Sequence, residues 1–404
     1  MSGKTLKVIR AETLITGRGD PPIHEAVIVI ENGRIRAVGP ASEISITKKA
    51  IEFDAGDKTV LPGLIDAHVH LALGSSEDSS WEKMKDDPES LCFYAAGNAQ
   101  RALVKGVTTL GDCGGVGLIC IKLREAIKAG VLTGPRLRVS GTPITTTAGH
   151  LYFIGMHADN ADELRKSIRW LVEKGADFIK IMATGGYMTP ISNRRRAQYS
   201  ESELRIAVKD AHRLERRVVV HVNGTEGIRN AVRAGVDVLA HCNWLGMKNN
   251  ETIEYDESIA RLAAKKGIYA DLGPIGGFTR EDSRWNLGCR MRENGVKVYL
   301  SSDGIGRQAC RFPSDLRSLI ENTDIDPLDA ITMSTRIPAE AMGLHRDLGT
   351  IEPEKIADLI IVDGNPVEDP SSLERVHMVF LRGEPVVFKG RLCVKTDLKT
   401  SLLS

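Results

Sequence analysis

The sequence predicts an α/β fold, a (β/α)8 TIM barrel with a small β-sandwich domain formed from both chain ends. Two observations predict it: eight short apolar runs alternate with amphipathic segments in mid-chain, and hairpin-like patterns occupy both ends. Strands that alternate with helices pair in parallel through right-handed crossovers. Eight such units favour a closed barrel, and an open Rossmann-like sheet stays the alternative on this pattern alone.

Glycines mark the junctions between the predicted helices and strands. Six amphipathic segments end in a glycine, which adopts the left-handed conformation just past a helix end without a Cβ penalty. The segment Glu201–Leu214 has helical periodicity and follows the capping box Ser200-x-x-Glu203. The eight predicted strands are Val60–Ile65, Val107–Leu110, Leu137–Ser140, Phe178–Met182, Val218–Val220, Val236–Ala240, Ile268–Ala270 and Val296–Leu300.

The two chain ends have a different pattern, with short alternating runs. Val27–Glu31 and Arg34–Val38 are joined by Asn32-Gly33, a strong hairpin signal. Near the other end, strands are predicted over Leu359–Val362, Val376–Arg382 and Glu384–Phe388. We therefore predict a composite β-sandwich domain from residues 1–58 and 345–404, around a barrel over residues 59–344.

Charge and composition exclude several classes of protein. The 404 residues carry 54 Lys+Arg and 53 Asp+Glu, a formal net charge of +1, which argues against nucleic acid or an anionic membrane as a partner. No apolar run approaches the ~18 residues of a membrane span. Seven scattered cysteines form no Cys-x-x-Cys pair, and the first residues lack a secretory pattern. Free thiols in the cytoplasm are the simplest interpretation.

Histidines and one aspartate end several predicted strands. In a TIM barrel the carboxyl ends of the strands carry the catalytic residues. His68 and His70 lie at i and i+2, so both side chains project from one face and can reach one metal ion. His221, His241 and Asp303 end three further strands. A lone strand-end histidine is more often structural, but this set together indicates a shared metal site.

Lys180 lies inside an otherwise apolar predicted strand. An unpaired charged lysine there would cost several kcal/mol, and burial favours the neutral amine. A neutral amine can react with carbon dioxide to form a carbamate, which is a carboxylate that can bridge two metal ions. The alternative role of Lys180 is that of a structural ion-pair partner.

These residues resemble the amidohydrolase superfamily. The resemblance is carried by Asp66-Ala67-His68-Val69-His70, followed by Lys180, His221, His241 and Asp303, and by the strings Leu61–Asp66 and Ile356–Val362. Within the superfamily, the stretch Ile179–Gly186, the triplet Gln198-Tyr199-Ser200 and the Gly224–Gly227 segment after His221 are similar to the imidazolonepropionase-like group, which includes Xaa-Pro and related dipeptidases. The resemblance extends from about residue 5 to about residue 390.

The resemblance implies two divalent metal ions, usually zinc, in the barrel mouth. His68, His70 and Asp303 would hold the more buried ion, His221 and His241 the other, and carboxylated Lys180 would bridge them. Many relatives have His-x-His at the fifth strand, whereas this chain has His221-Val222-Asn223. Asn223 leaves the ligand set intact but changes a neighbouring or substrate contact.

Two close metal ions would lower the pKa of a bridging water enough to supply hydroxide. Asp303 would take the proton and deliver it to the leaving nitrogen, and His150 would bond the developing oxyanion. The alternative for His150 is a loop residue packed against neighbouring aromatic side chains. A substrate carboxylate could be bound from the loop after the fourth strand, where the candidate residues are Tyr187, Arg194, Arg195 and Arg196. The alternative for the arginines is a solvated surface.

We therefore expect a metal-dependent hydrolase of C–N bonds that acts on a small molecule, with an amide in a dipeptide or N-acyl amino acid as the first substrate class. A cyclic amide, carbamate or urea-like compound is the second. A mononuclear deaminase would not need Lys180, and a non-catalytic binding protein on the same fold would tend to lose ligands. Because relatives often form closed oligomers, a homo-oligomer is expected.

Overall fold

The computed structural model describes residues 6–46, 50–74, 87–248, 252–273 and 283–393. Its strands are β1 Leu6–Leu14, β2 Ile23–Glu31, β3 Arg34–Pro40, β4 Ala50–Asp54, β5 Thr59–Pro62, β6 Leu64–His70, β7 Val107–Asp112, β8 Arg136–Val139, β9 Ile144–Thr145, β10 Met156–His157, β11 Ile179–Met182, β12 Val218–Gly224, β13 Val238–Leu245, β14 Tyr269–Asp271, β15 Lys297–Tyr299, β16 Gly304–Ile305, β17 Leu359–Val362, β18 Val376–Leu381, β19 Glu384–Phe388 and β20 Arg391–Leu392. Its α-helices are α1 Pro88–Val104, α2 Ile119–Lys128, α3 Ala161–Glu173, α4 Glu201–Arg213, α5 Thr225–Ala234, α6 Glu257–Lys265, α7 Ser283–Glu293, α8 Phe312–Asn322, α9 Pro327–Met333 and α10 Arg336–Ala341.

The middle of the chain forms the predicted parallel barrel. Strands β6, β7 and β8 pair in parallel, and so do β11 to β15. The backbone N–H of Asp177 donates to the Val139 carbonyl at 2.8 Å and joins the end of β8 to the start of β11. Helices α1 to α7 follow the strands along the chain and bury their apolar faces in one large core. The predicted fold class is confirmed, and the capping box at Ser200 and Glu203 is present.

The predicted first strand, Val60–Ile65, is wrong as a single element. Gly63 divides it, so that β5 belongs to the terminal sheet while β6 begins the barrel. A Cβ at Gly63 would overlap the Thr108 side chain, and the Gly63 N–H donates to the Asp358 carbonyl at 3.0 Å. Strand β5 therefore pairs within the terminal sheet although it lies beyond the predicted boundary at residue 58; the domain limits remain a prediction.

Strands from both chain ends form one sheet, in the order β20-β19-β18-β17-β5-β1-β2-β3, with β4 also paired to β1. Asn32 and Gly33 both have positive φ, 54° and 77°, as a type I′ hairpin turn requires. Ile28 of β2 and Phe380 of β18 share one apolar cluster, so the two halves of the sheet pack together. Residues 1–5 and 394–404 of the predicted terminal domain lie outside the described residues.

Within the described chain, no helix is both long and apolar enough to cross a bilayer.

The tight passage at Gly63 predicts a local sensitivity to substitution. Gly63→Ala should lower the free energy of unfolding by about 1–3 kcal/mol, because the added methyl group displaces Thr108 from the packed β6–β7 junction. Gly39→Ala is the matched control: its added Cβ would lie 3.7 Å from Ile44 Cδ1, an ordinary contact. Thermal unfolding of both variants checks this, and equal midpoints would contradict the proposed crowding at Gly63.

Candidate metal centre

The six predicted metal ligands converge at the carboxyl end of the barrel. Ligand atoms of His68, His241 and Asp303 lie within 4.8 Å of one another. His70 Nε2 lies 3.4 Å from Asp303 Oδ1, and the His221 and His241 ring centroids are 4.7 Å apart. The strands that supply the six ligands are β6 for His68 and His70, β11 for Lys180, β12 for His221 and β13 for His241, with Asp303 after β15.

His68 is held between an aspartate and the lysine. Its Nδ1 lies 2.6 Å from Asp271 Oδ2, and its Nε2 lies 2.9 Å from Lys180 Nζ. Burial by itself would raise the pKa of Asp271, but the hydrogen bond and charge of His68 and the charge of His241 lower it overall. Asp271 therefore stays ionised, accepts the Nδ1 proton and leaves Nε2 as the lone-pair nitrogen.

His70 and His241 are oriented by the backbone. His70 Nδ1 lies 2.6 Å from the Gly114 carbonyl oxygen, and His241 Nδ1 lies 2.8 Å from that of Gly273. A carbonyl only accepts hydrogen bonds, so each Nδ1 carries the proton and each Nε2 is free to bind a metal ion.

His221 is bonded through the opposite nitrogen. Its Nε2 lies 3.1 Å from the Gly185 carbonyl oxygen and 2.8 Å from the side-chain amide of Asn223. Both contacts engage Nε2, so Nδ1 is the ring nitrogen that they leave open towards a metal ion. The Asn223 amide also contacts that of Asn243, at 2.6 Å. Asn223 therefore touches a predicted ligand and belongs to a small amide network beside it.

The backbone that carries Asp303 and His241 is in an unusual conformation. Their φ angles are 47° and 67°, in the left-handed region that costs a residue with a Cβ about 1–3 kcal/mol. Beside Asp303, the Ser302 N–H and hydroxyl donate to Asp66 at 3.1 and 2.5 Å. Burial raises the pKa of Asp66 to about 8. These contacts fix the turn that presents the Asp303 carboxylate to the cavity.

The donor set fits divalent metal ions. Imidazole nitrogens and a carboxylate oxygen suit zinc, and manganese, cobalt or iron could replace it. Lys180 is 1 % exposed, and among the described residues its amine has no carboxylate within 4.0 Å. Carboxylation of this amine would add oxygen donors to the set. The residues present therefore fit a divalent metal site.

His150 lies against the same cluster. Its ring centroid is 4.4 Å from that of His221, and its Nδ1 is 3.1 Å from the Thr189 hydroxyl. Burial, followed by the charge of His241, lowers the pKa of His150 to about 3, so the ring is neutral at pH 7. Tyr152 and Phe153 contact each other, with ring centroids 5.8 Å apart. The contacts with His221 and Thr189 place His150 beside the candidate metal centre.

A cavity of about 680 Å³ opens above the cluster. Of the predicted substrate contacts, His150, Tyr187 and Asn223 line it. Among the described lining residues, none of Arg194, Arg195 and Arg196 appears; the Arg194 guanidinium lies 3.7 Å from the centre of the Tyr187 ring. The other described lining residues are largely apolar, with one arginine among them, and include Leu151, Met182, Leu245, Ile253, Arg284 and Leu287.

Three features of the centre were missed from the sequence. Asp271 directly follows the predicted seventh strand, so the strand-end rule that found the histidines could have found it. Gly186 has no such signal: a Cβ there would overlap the His150 ring. Arg284 lies near the start of α7 and lines the cavity. Its position there depends on the tertiary packing.

The fold and this strand-end cluster define an α/β-barrel enzyme with a candidate metal site. The model of the Amidohydrolase family matches residues 59–386, and the chain belongs to that family, whose enzymes act on C–N bonds.

Three relatives illustrate the likeness. Ochratoxinase of Aspergillus niger is 28% identical over 90% of this chain and 82% of its own length. Imidazolonepropionase of Paracoccus denitrificans is 25% identical over 84% of this chain and 88% of its own. The crystal structure of a Xaa-Pro dipeptidase with bound methionine in the active site superposes with a TM-score of 0.77 at 26% identity, covering 94% of this chain and 99% of that one.

The contact between Asp271 and His68 predicts a defect in metal binding. Asp271→Asn should weaken metal affinity by about 10–100-fold, because the amide cannot fix the His68 tautomer as a carboxylate does. The control is Asp210→Asn, another buried carboxylate, which pairs with Arg169 on the barrel exterior. Competition titration with a chromogenic chelator measures both, and equal affinities in the two variants would contradict this role of Asp271.

Proposed function

We propose that this chain is a binuclear metal-dependent hydrolase of amide bonds, acting on a dipeptide or an N-acyl amino acid. The observation that carries the proposal is the gathering of four imidazoles, a buried amine and one carboxylate at the floor of a single large cavity. Membership of the amidohydrolase family supports the reaction class.

The ligands divide into two sets around the lysine. His68, His70 and Asp303 would hold one ion, His221 and His241 the other, and the Lys180 carbamate would bridge them. Lys180 Nζ lies 2.9 Å from His68 Nε2 of the first set, and Lys180 lines the same cavity as His221 and His241 of the second, which supports a bridging position. When bound, the metal pair supplies an activated water and a Lewis acid for the carbonyl.

Two residues of the chain have roles in proton transfer and charge stabilisation. Asp303 has a side chain that is 24% exposed and lines the cavity, so its carboxylate can accept the proton of the attacking water and pass it to the leaving nitrogen. The neutral His150 ring can donate to the carbonyl oxygen as negative charge develops there. The Thr189 hydroxyl can donate to His150 Nδ1, which would keep the proton on Nε2.

The cavity supports an acyl or peptide substrate with an apolar group. Leu245, Ile253 and Leu287 provide an apolar wall, and Arg284 on the same wall can bind a substrate carboxylate. The likeness to a Xaa-Pro dipeptidase supports the dipeptide class. Tyr187 and the Arg194–Arg196 loop beside it remain proposed contacts for a longer substrate.

The second candidate is a cyclic amide. It is favoured by the likeness to imidazolonepropionase, whose name refers to an imidazolone ring.

We also propose that the protein forms a homo-oligomer.

A substrate screen tests the proposed function. Xaa-Pro and Xaa-Arg dipeptides and N-acyl amino acids should be hydrolysed, the best with a kcat/KM of at least about 10⁴ M⁻¹ s⁻¹, and lactams and aryl carbamates more slowly. Dialysis against a chelator should abolish turnover and zinc should restore it. Turnover of cyclic amides alone would favour the second candidate, and full activity of the metal-free protein would contradict both.

Removal of the lysine tests the bridge. Lys180→Ala should reduce bound metal from about two ions per chain to about one, because the carbamate is the ligand that both ions share. Lys166→Ala, an exposed lysine on α3, is the control. Metal content is measured after reconstitution with and without added bicarbonate, which should increase loading only when Lys180 is present. Unchanged metal content in Lys180→Ala would rule out the carbamate bridge.

A further inference from the structure

A second cavity, of about 210 Å³, opens at the opposite, amino-terminal mouth of the barrel. Phe178 and Val219 line it. Phe178 lies just before β11 and two residues before Lys180, and Val219 lies on β12 two residues before His221. Residues at i and i+2 of a strand share a face and lie about 7 Å apart along it. The cavity therefore ends one layer of side chains beneath the candidate metal centre and is separate from the cavity above it.

Two arginines stand at the entrance of this cavity, Arg138 and Arg217. The Arg217 guanidinium donates to the Ala341 carbonyl at 2.8 Å, and within the described residues no carboxylate lies within 4.0 Å of it. Arg138 lies 3.3 Å from Asp177, but that carboxylate also binds Arg124. One carboxylate is thus shared by two guanidinium groups, while Arg217 pairs with no carboxylate of the described chain.

The charged lining residues balance in number, two arginines against Asp177 and Glu215, and the excess of positive charge comes from Arg124, which shares Asp177, and from Arg216 nearby. Burial, together with the charges of Arg216, Arg124 and Arg217, outweighs Asp177 and lowers the pKa of Arg138. Glu215 also lines the cavity, but it is exposed to solvent. An anion bound between the two guanidinium groups would relieve their repulsion and use donors that the protein itself leaves unfilled.

The inner part of the cavity offers a polar group of a different kind. Tyr299 lines it and is 2% exposed, and its hydroxyl has no hydrogen-bond partner among the described residues. The hydroxyl is not one of the fully buried polar atoms without a partner, so it borders the cavity and can donate to a molecule bound there. The lining also includes apolar side chains, among them Ala67, Val219 and Val238.

We propose that the amino-terminal mouth of the barrel binds a small organic carboxylate. The carboxylate group lies between Arg138 and Arg217, and a short apolar body extends along Val219 and Val238 towards the Tyr299 hydroxyl. An inorganic anion would satisfy the guanidinium groups but would leave the apolar walls and the phenol unfilled. The site is independent of the hydrolytic centre and of its substrate.

The test is calorimetric titration of the metal-loaded protein with propionate at constant ionic strength. Propionamide, which has the same shape without the charge, and inorganic phosphate are the comparison ligands. Arg217→Gln should weaken propionate binding by about tenfold or more, as expected for the loss of a charged hydrogen bond. Tyr299→Phe keeps the ring and should weaken binding by about threefold. Arg165→Gln, on the surface of α3, should leave it unchanged.

Carboxylates can also bind a metal ion, so the variants decide where propionate sits. Binding at the upper cavity would persist in both Arg217→Gln and Tyr299→Phe, and unchanged affinity in these two variants would overturn the proposal. Equal affinity for propionamide would remove the role of the charge, and equal affinity for phosphate would remove that of the apolar body. If Arg217→Gln does not fold, Tyr299→Phe against the wild type still separates the outcomes.

Discussion

The hydrogen bonds on the outer ring nitrogens of the histidines determine what the barrel mouth can do. His70 and His241 each donate a hydrogen bond from Nδ1 to a backbone carbonyl, and His68 donates one from Nδ1 to Asp271. Each ring is thereby left with a single lone pair that points inward. Without these partners the rings could rotate or change tautomer, and the same residues would no longer present a converging set of donors.

The sequence indicates these side chains more readily than it indicates the groups that orient them. His68, His70, His221, His241 and Asp303 follow from one rule, that catalytic groups end the strands of a barrel. Asp271 obeys the same rule, but a single aspartate after a strand is not distinctive until the fold brings it to His68. The carbonyls of Gly114 and Gly273 carry no side-chain signal, and only the folded chain brings them to the rings.

Other differences have similar physical origins. The apolar run Val60–Ile65 is continuous in hydrophobicity, so periodicity could not reveal that Gly63 separates two sheets; the close approach of Thr108 does. The basic run at Arg194–Arg196 suggested a carboxylate site, yet among the described residues Arg284 lines the cavity and these three arginines do not. Loop and helix-start residues reach a cavity through tertiary packing, which short sequence patterns do not encode.

Strand β5 links the chain ends to the barrel, and this has a practical consequence for shortened versions of the protein. It pairs with β1 on one side and β17 on the other, and Gly63 connects it to β6. A chain trimmed before Leu359 would lose β17 and leave the backbone N–H and carbonyl groups of β5 open along one side. Unpaired strand borders recruit neighbouring molecules, so such a fragment should precipitate during expression, whereas a purification tag placed after β20 would leave β5 covered.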